Sequence, residues 1–267
     1  MAEPGSKISD RVIMTGSGPI GCYLIHGLTG STYELQGLAD YLAQAGYRVQ
    51  ARPLPGHGTT VEELQLVRAD DWLVDIEFHF TEMLLDGEAA FVIGLSMGAG
   101  LALHLAALLP VAGVVAISPF LRPGTVRFPW LLPLAAPFID TIPKSRIYKG
   151  RNPADHPYYG YDRYPIRTLR ELVLLNRKIR GELAEVRAPL LVLHSTADIT
   201  ADISNAHFVM AAVASEDKEL VVFEKGGHIL PDSTEKEAVW ETIGRFIAAH
   251  LPDFETAEDA LPIYEPR

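Results

Sequence analysis

The stretch FVIGLSMGAG, Phe91 to Gly100, decides the reading of this chain. An uninterrupted apolar run ends at a lone serine fenced by glycines, and small residues continue after it. The residues GLSMG, Gly94 to Gly98, fit the pattern G-x-S-x-G, which carries meaning where a strand turns directly into a helix. Such a turn forces Ser96 into a strained backbone region, and only small neighbours avoid collision there. Gly94, Gly98, Ala99 and Gly100 supply that space. The turn also places the Ser96 hydroxyl at the C-terminal edge of a sheet, where open α/β folds bind ligands, and sets the Met97 amide at a helix N-terminus, where an anion is favoured. A helix-capping serine is the plainer alternative.

Outward from this turn, short apolar runs alternate with longer helical patterns. IGCYLIHG, YRVQARP, AAFVIGLS, GVVAISP, PLLVLHS and LVVFEK are rich in Val, Ile, Leu or aromatics, and most lack strict alternation. Such runs suit strands buried on both faces of a parallel sheet. Between them, TYELQGLADYLAQAG, ADDWLVDIEFHFTEMLL, MGAGLALHLAALL, SNAHFVMAAVA and EKEAVWETIGRFIAAH repeat apolar residues every three to four places. The alternation predicts an α/β fold with a doubly wound, mostly parallel sheet and right-handed crossovers.

From Phe120 to about Val186 the alternation stops. We read residues 119–186 as an inserted cap over one end of the sheet, with 1–118 and 187–267 forming the core. The insertion begins with prolines that forbid one continuous helix and ends in an amphipathic segment with Leu169, Leu172, Leu175 and Ile179 on one side. Its early apolar residues, Phe120, Phe128, Trp130, Leu131, Leu132 and Phe138, either line a substrate pocket or are buried between cap and core. The segment from Lys144 to Arg187, which spans most of the insertion and one residue beyond it, carries a formal charge of +6 within a chain of −11. That asymmetry suits an anionic substrate or a membrane surface, a solvated face being the plainer reading.

Composition narrows the function. The 267 residues with 48% hydrophobic content can bury a sizeable core, and 34 acidic against 23 basic side chains argue against a nucleic-acid partner. The single cysteine, Cys22, excludes an intramolecular disulfide framework and a cysteine-rich zinc site; mid-strand, it reads as a small buried hydrophobe. No segment is apolar enough to span a bilayer, and the polar first ten residues lack a signal peptide's apolar core. We expect a cytoplasmic protein. There is no phosphate loop, metal-ligand cluster or dinucleotide fingerprint, so no cofactor and no metal is expected.

A serine hydroxyl is a weak nucleophile unless a base takes its proton, and a third group must orient that base. After a G-x-S-x-G turn the acid and the histidine follow in that order, each in a loop after a later strand. The last strand ends in GGHIL, where Gly226 and Gly227 allow the turn that presents His228, our candidate base. His79, His104, His207 and His250 fall in predicted helices, His26 and His57 precede the serine, and His156 lies in the insertion. His194 is the nearest rival, but it closes the strand whose loop must supply the acid. In that loop Asp198 is favoured; Asp202 looks like a helix N-cap and is the alternative. The developing oxyanion needs donors, and the loop after IGCYLIHG can bring the Leu28 amide beside that of Met97. His26 and the LPGHG turn, Leu54 to Gly58, read as loop architecture.

Taken together, GCYLIHGLTGS, PGHG, DDWLVDI, GLSMG, the insertion, ADITAD and GGH resemble the bacterial carboxylesterase and monoacylglycerol lipase group of the α/β-hydrolase superfamily, over nearly the whole chain from about Gly18 to His250. The resemblance implies a serine hydrolase working through an acyl-enzyme, with Ser96, Asp198 and His228 as triad and Leu28 and Met97 as oxyanion donors. The start of the insertion is richer in proline and aromatics than in that group, so no substrate preference is carried over, and the leading expectation is a cofactor-independent hydrolase of carboxylic esters of short or medium acyl chains, glycerol monoesters among them. The loop DITADIS departs from the apolar pair and proline common in that group. A thioesterase, amidase or C–C hydrolase would use the same residues, and a ligand-binding protein on this scaffold is the reading from another class.

Overall fold

A computed structural model describes residues 11–87, 89–122, 140–144 and 160–252. Seven strands form one sheet: β1 (Ile13–Thr15), β2 (Ile20–Ile25), β3 (Arg48–Ala51), β4 (Ala89–Leu95), β5 (Gly113–Ile117), β8 (Leu190–Ser195) and β9 (Lys218–Phe223), in the order β1-β3-β2-β4-β5-β8-β9. All neighbours pair parallel except β1, which runs antiparallel to β3. The six predicted strands are all present. The three-residue β1 was not predicted. It is too short for its side chains to leave a pattern, and only Ile13 is fully buried.

β2, β4, β5 and β8 read as apolar runs because both of their faces are covered. In β2, Tyr23 and Ile25 point to one layer while Cys22 and Leu24 point to the other. The first layer holds α3 (Ala69–Leu85), α4 (Met97–Leu108), α5 (Ile166–Glu182) and α6 (Ser204–Ala212); the second holds α1 (Gln36–Gln44) and α7 (Lys236–Ala249). At its N-terminus α3 is fixed by Asp71, whose carboxylate accepts the Arg68 amide at 2.8 Å. α4 carries buried residues along almost its whole length and so lies at the centre of its layer. No helix among the described residues is long and apolar enough to cross a membrane.

The chain between β5 and β8 contains two elements that the sequence left undivided. β6 (Thr141–Pro143) and β7 (Arg163–Pro165) pair antiparallel, three residues each and both ending in proline, too short and too proline-rich to show a strand period. α5 follows, burying Leu172, Leu175 and Ile179, as expected, together with Asn176, and packing against α3 and α4; Thr168 is buried with its hydroxyl donating to the Leu64 carbonyl at 3.2 Å, whereas Leu169 is half-buried. Phe120 is half-buried against the first layer. Phe128, Trp130, Leu131, Leu132 and Phe138 lie outside the described residues.

Candidate active site

The turn at Ser96 has the predicted geometry. Ser96 joins β4 to α4 with φ 59° and ψ −114°, a strained conformation for a non-glycine residue. Its amide donates to the Ile117 carbonyl at 2.9 Å, tying the bend to β5. The flanking glycines are required by backbone proximity. A Cβ on Gly94 would overlap the Gly98 carbonyl, and one on Gly98 would overlap the Ile25 carbonyl and lie 2.6 Å from that of His26. At Gly100 a Cβ would meet only side-chain ends, 3.1 Å from Leu121 and 3.2 Å from Ile179, so this position is tight without being forbidden. We therefore predict that Gly94→Ala costs more than about 3 kcal/mol of folding stability, measured as a fall in the denaturation midpoint, while Gly100→Ala costs about 1 kcal/mol or less.

Ser96, His228 and Asp198 come together from three loops at the C-terminal edge of the sheet. His228 Nε2 lies 2.9 Å from Ser96 Oγ, and His228 Nδ1 lies 2.7 Å from Asp198 Oδ2. Because a carboxylate only accepts, Nδ1 carries the proton, and Nε2 is left with a lone pair facing the serine hydroxyl. Gly226 (φ 85°) and Gly227 (φ 68°) provide the left-handed turns that deliver His228 after β9.

The Asp198 side chain is fully buried. Burial alone would raise its pKa, but the hydrogen bond and charge of His228, with the amides of Ala201 and Thr200, overcome this and hold the carboxyl below its ordinary range. Those amides donate to Asp198 Oδ1 at 3.0 and 2.7 Å. Asp202, the alternative acid, is exposed and accepts the Ser204 amide at 2.9 Å at the start of α6.

His194 is buried in β8 and donates from Nε2 to the Ala201 carbonyl at 3.0 Å, so it braces the loop that holds Asp198. Desolvation pushes its pKa down. From its sequence context His194 is only a rival base, because its bracing contact, made across seven residues in a loop, leaves no pattern to find. Cys22 is buried with its thiol pushed up by desolvation, far from the thiolate a nucleophile needs.

On the other side of Ser96 stands the loop after β2. A Cβ on Gly27 would fall 3.2 Å from Ser96 Cβ and 3.7 Å from its Oγ, which sets Gly27 directly against the serine and Leu28 next to it. Met97 is the first residue of α4, and its amide belongs to the group of helix-start N–H donors without an intrahelical acceptor. His26 is buried in loop architecture, as expected: its Nε2 accepts the Leu54 amide at 3.0 Å, and its Nδ1 donates to the Gly27 carbonyl at 2.9 Å. Among the described residues no cluster of three or more His, Cys, Asp or Glu is arranged to hold a metal ion.

A family model described as serine aminopeptidase, S33, matches residues 21–235. A thermostable monoacylglycerol lipase of Bacillus sp. (strain H-257) is 28% identical over 240 residues, covering 88% of this chain and 92% of its own. A carboxylesterase of Bacillus subtilis is 25% identical over 230 residues, 84% and 90% of the two chains. Among solved structures, one from work on LipS and LipT, two metagenome-derived lipolytic enzymes, superposes with a TM-score of 0.82 at 27% identity, covering 91% of this chain and 98% of its own. The monoacylglycerol lipase of Paleococcus ferrophilus shares the fold, with a TM-score of 0.74 at 20% identity over 90% and 99% of the chains.

Proposed function

The chain belongs to the serine aminopeptidase (S33) family of α/β-hydrolases, and from that premise we propose that it hydrolyses carboxylic monoesters of short to medium acyl chains, glycerol monoesters among them, through an acyl-enzyme on Ser96. One observation carries this reading: Ser96 Oγ, His228 and Asp198 stand in a hydrogen-bonded series of 2.9 and 2.7 Å at a strained strand-to-helix turn. Ser96 Oγ attacks the ester carbonyl carbon while its proton passes to His228 Nε2. The Leu28 and Met97 amides receive the negative charge that develops on the carbonyl oxygen. Collapse of the tetrahedral intermediate breaks the bond to the alkoxy oxygen, which takes the proton from the imidazolium and leaves as alcohol. Water then attacks the acyl-Ser96 carbonyl with His228 again as base, releasing the carboxylic acid and restoring the hydroxyl.

The family description names a peptidase, whereas the relatives above are named as lipases and an esterase, and this favours the ester over the amide. The residues 119–186 are the segment we assign to shaping the substrate pocket. The test is a panel of acyl-chain lengths presented as oxygen esters, thioesters and amides, with glycerol monoesters and triesters compared. We expect the highest kcat/KM among monoesters of short or medium chains. Hydrolysis of amides or thioesters with higher kcat/KM than the matched oxygen esters would replace this reading.

A further inference from the structure

The loop after β2 contains a second strained residue. Thr29 has φ 58°, a left-handed conformation that a β-branched side chain avoids, and it follows directly on Leu28. Strain of this kind persists only where the surroundings hold it, and here every polar group of Thr29 is engaged. Its amide donates to His57 Nε2 at 2.9 Å, its hydroxyl to the Leu28 carbonyl at 2.6 Å, and its carbonyl accepts the Tyr161 amide at 3.0 Å. Lys144 Nζ stands 3.5 Å from the same carbonyl.

His57 belongs to the LPGHG turn and is 3% exposed. Because the Thr29 N–H points at Nε2, that nitrogen bears the lone pair and Nδ1 the proton, which faces the Pro55 carbonyl at 3.2 Å. His26 makes the reciprocal link, from the β2 loop to the Leu54 amide of the turn. The two rings meet edge to face with centroids 4.8 Å apart. Tyr161, from the segment between β5 and β8, stacks on His57, donates its hydroxyl to the Gly56 carbonyl at 2.8 Å and accepts the Thr59 amide at 2.9 Å.

We propose that His57, braced by Tyr161, is a positioning residue for the oxyanion donor: by accepting the Thr29 amide it holds the strained loop that aims the Leu28 N–H at the reacting carbonyl. The inference rests on the proposed role of Leu28 in an acyl-transfer mechanism. Removing an oxyanion donor costs about a hundredfold to a thousandfold in rate. A donor that is present but no longer fixed costs less, about tenfold to a hundredfold. The loss falls on kcat, because the charge on the carbonyl oxygen exists in the transition state and not in the bound ester.

The experiment compares His57→Phe, which keeps a ring and removes the acceptor, with His57→Gln, whose amide oxygen can reach the place of Nε2. Both are assayed on p-nitrophenyl butyrate and titrated with an alkyl trifluoromethyl ketone, whose serine adduct bears an oxyanion. For His57→Phe we expect kcat to fall at least tenfold with KM within threefold, and the inhibition constant for the ketone to rise in parallel. His57→Gln should recover most of both. Wild-type kcat in a folded His57→Phe, a loss carried by KM alone, or a Gln variant as impaired as the Phe variant would overturn the proposal. Should His57→Phe not fold, Tyr161→Phe removes only the bracing hydroxyl and should lower kcat at least threefold with KM unchanged; wild-type kcat there overturns the proposal as well. Ser96→Ala, assayed alongside, separates the two claims: if it stays active the acyl-enzyme reading fails, and if it is inactive while His57→Phe is not, only the present inference fails.

Discussion

Replacing Asp198 with asparagine is expected to lower kcat by about four orders of magnitude while leaving the fold intact. The cause is the tautomer. With a carboxylate at 2.7 Å, His228 keeps its proton on Nδ1 and turns a lone pair toward Ser96. An amide can present its NH2 to Nδ1 instead, which moves the proton to Nε2 and leaves the serine without a base. The imidazolium formed during acylation would also lose its counter-charge. Because the pKa of Asp198 is held below the ordinary carboxylate range, the group stays ionised through mildly acidic pH. Acidification to that range therefore leaves Asp198 charged. The same depressed value makes the carboxylate a stabilising group: its contribution is present above the pKa of the unfolded chain and is lost only as pH falls through the lower folded value. Asp202→Asn, exposed and bonded only near its own helix start, is expected to change kcat by less than about twofold, since surface changes away from the chemistry rarely matter. Steady-state kinetics on one activated ester measures both variants. The opposite ranking would move the acid to position 202.

Ser96→Ala is expected to have the largest effect, a fall in kcat of about a millionfold. Serine triads work as a unit, so the loss of Ser96, the proposed nucleophile, approaches the loss of all three members. What remains comes from the oxyanion donors and binding alone. The substitution removes one oxygen atom and keeps the Cβ, so the turn should persist and the variant should still bind substrate. Binding of a monoester to the inactive variant, followed by calorimetry, checks that the site has survived.

Much of this arrangement was legible in the sequence, for physical reasons. Strands β2, β4, β5 and β8 are buried on both faces, and double burial writes continuous apolar runs. The helix ADDWLVDIEFHFTEMLL was read with the bounds it has in the structure, Ala69–Leu85, because a stripe facing the core repeats every three to four residues. Ser96 and His228 were marked by glycines that the backbone needs at those turns. Asp198 was separated from Asp202 by its distance from the next helix. The elements that escaped are short: β1, β6 and β7 have three residues each, and α2 (Val61–Leu64) has four, below the length at which any period shows. Bonds from a side chain to remote backbone escaped as well. The tie from His57 to Thr29 spans 28 residues and that from Tyr161 to Gly56 spans 105. Neither depends on a periodic pattern, and the PGHG turn is accounted for by its glycines before its histidine is considered.

Ser96 is proposed as the nucleophile, activated by His228 and Asp198. Peptide mass analysis after exposure to a fluorophosphonate tests it most directly. One adduct per chain is expected, on the peptide carrying Ser96, with loss of esterase activity in step with labelling and no adduct in His228→Ala on the same time scale. An adduct on another residue, or full esterase activity after Ser96 has been labelled, would contradict it.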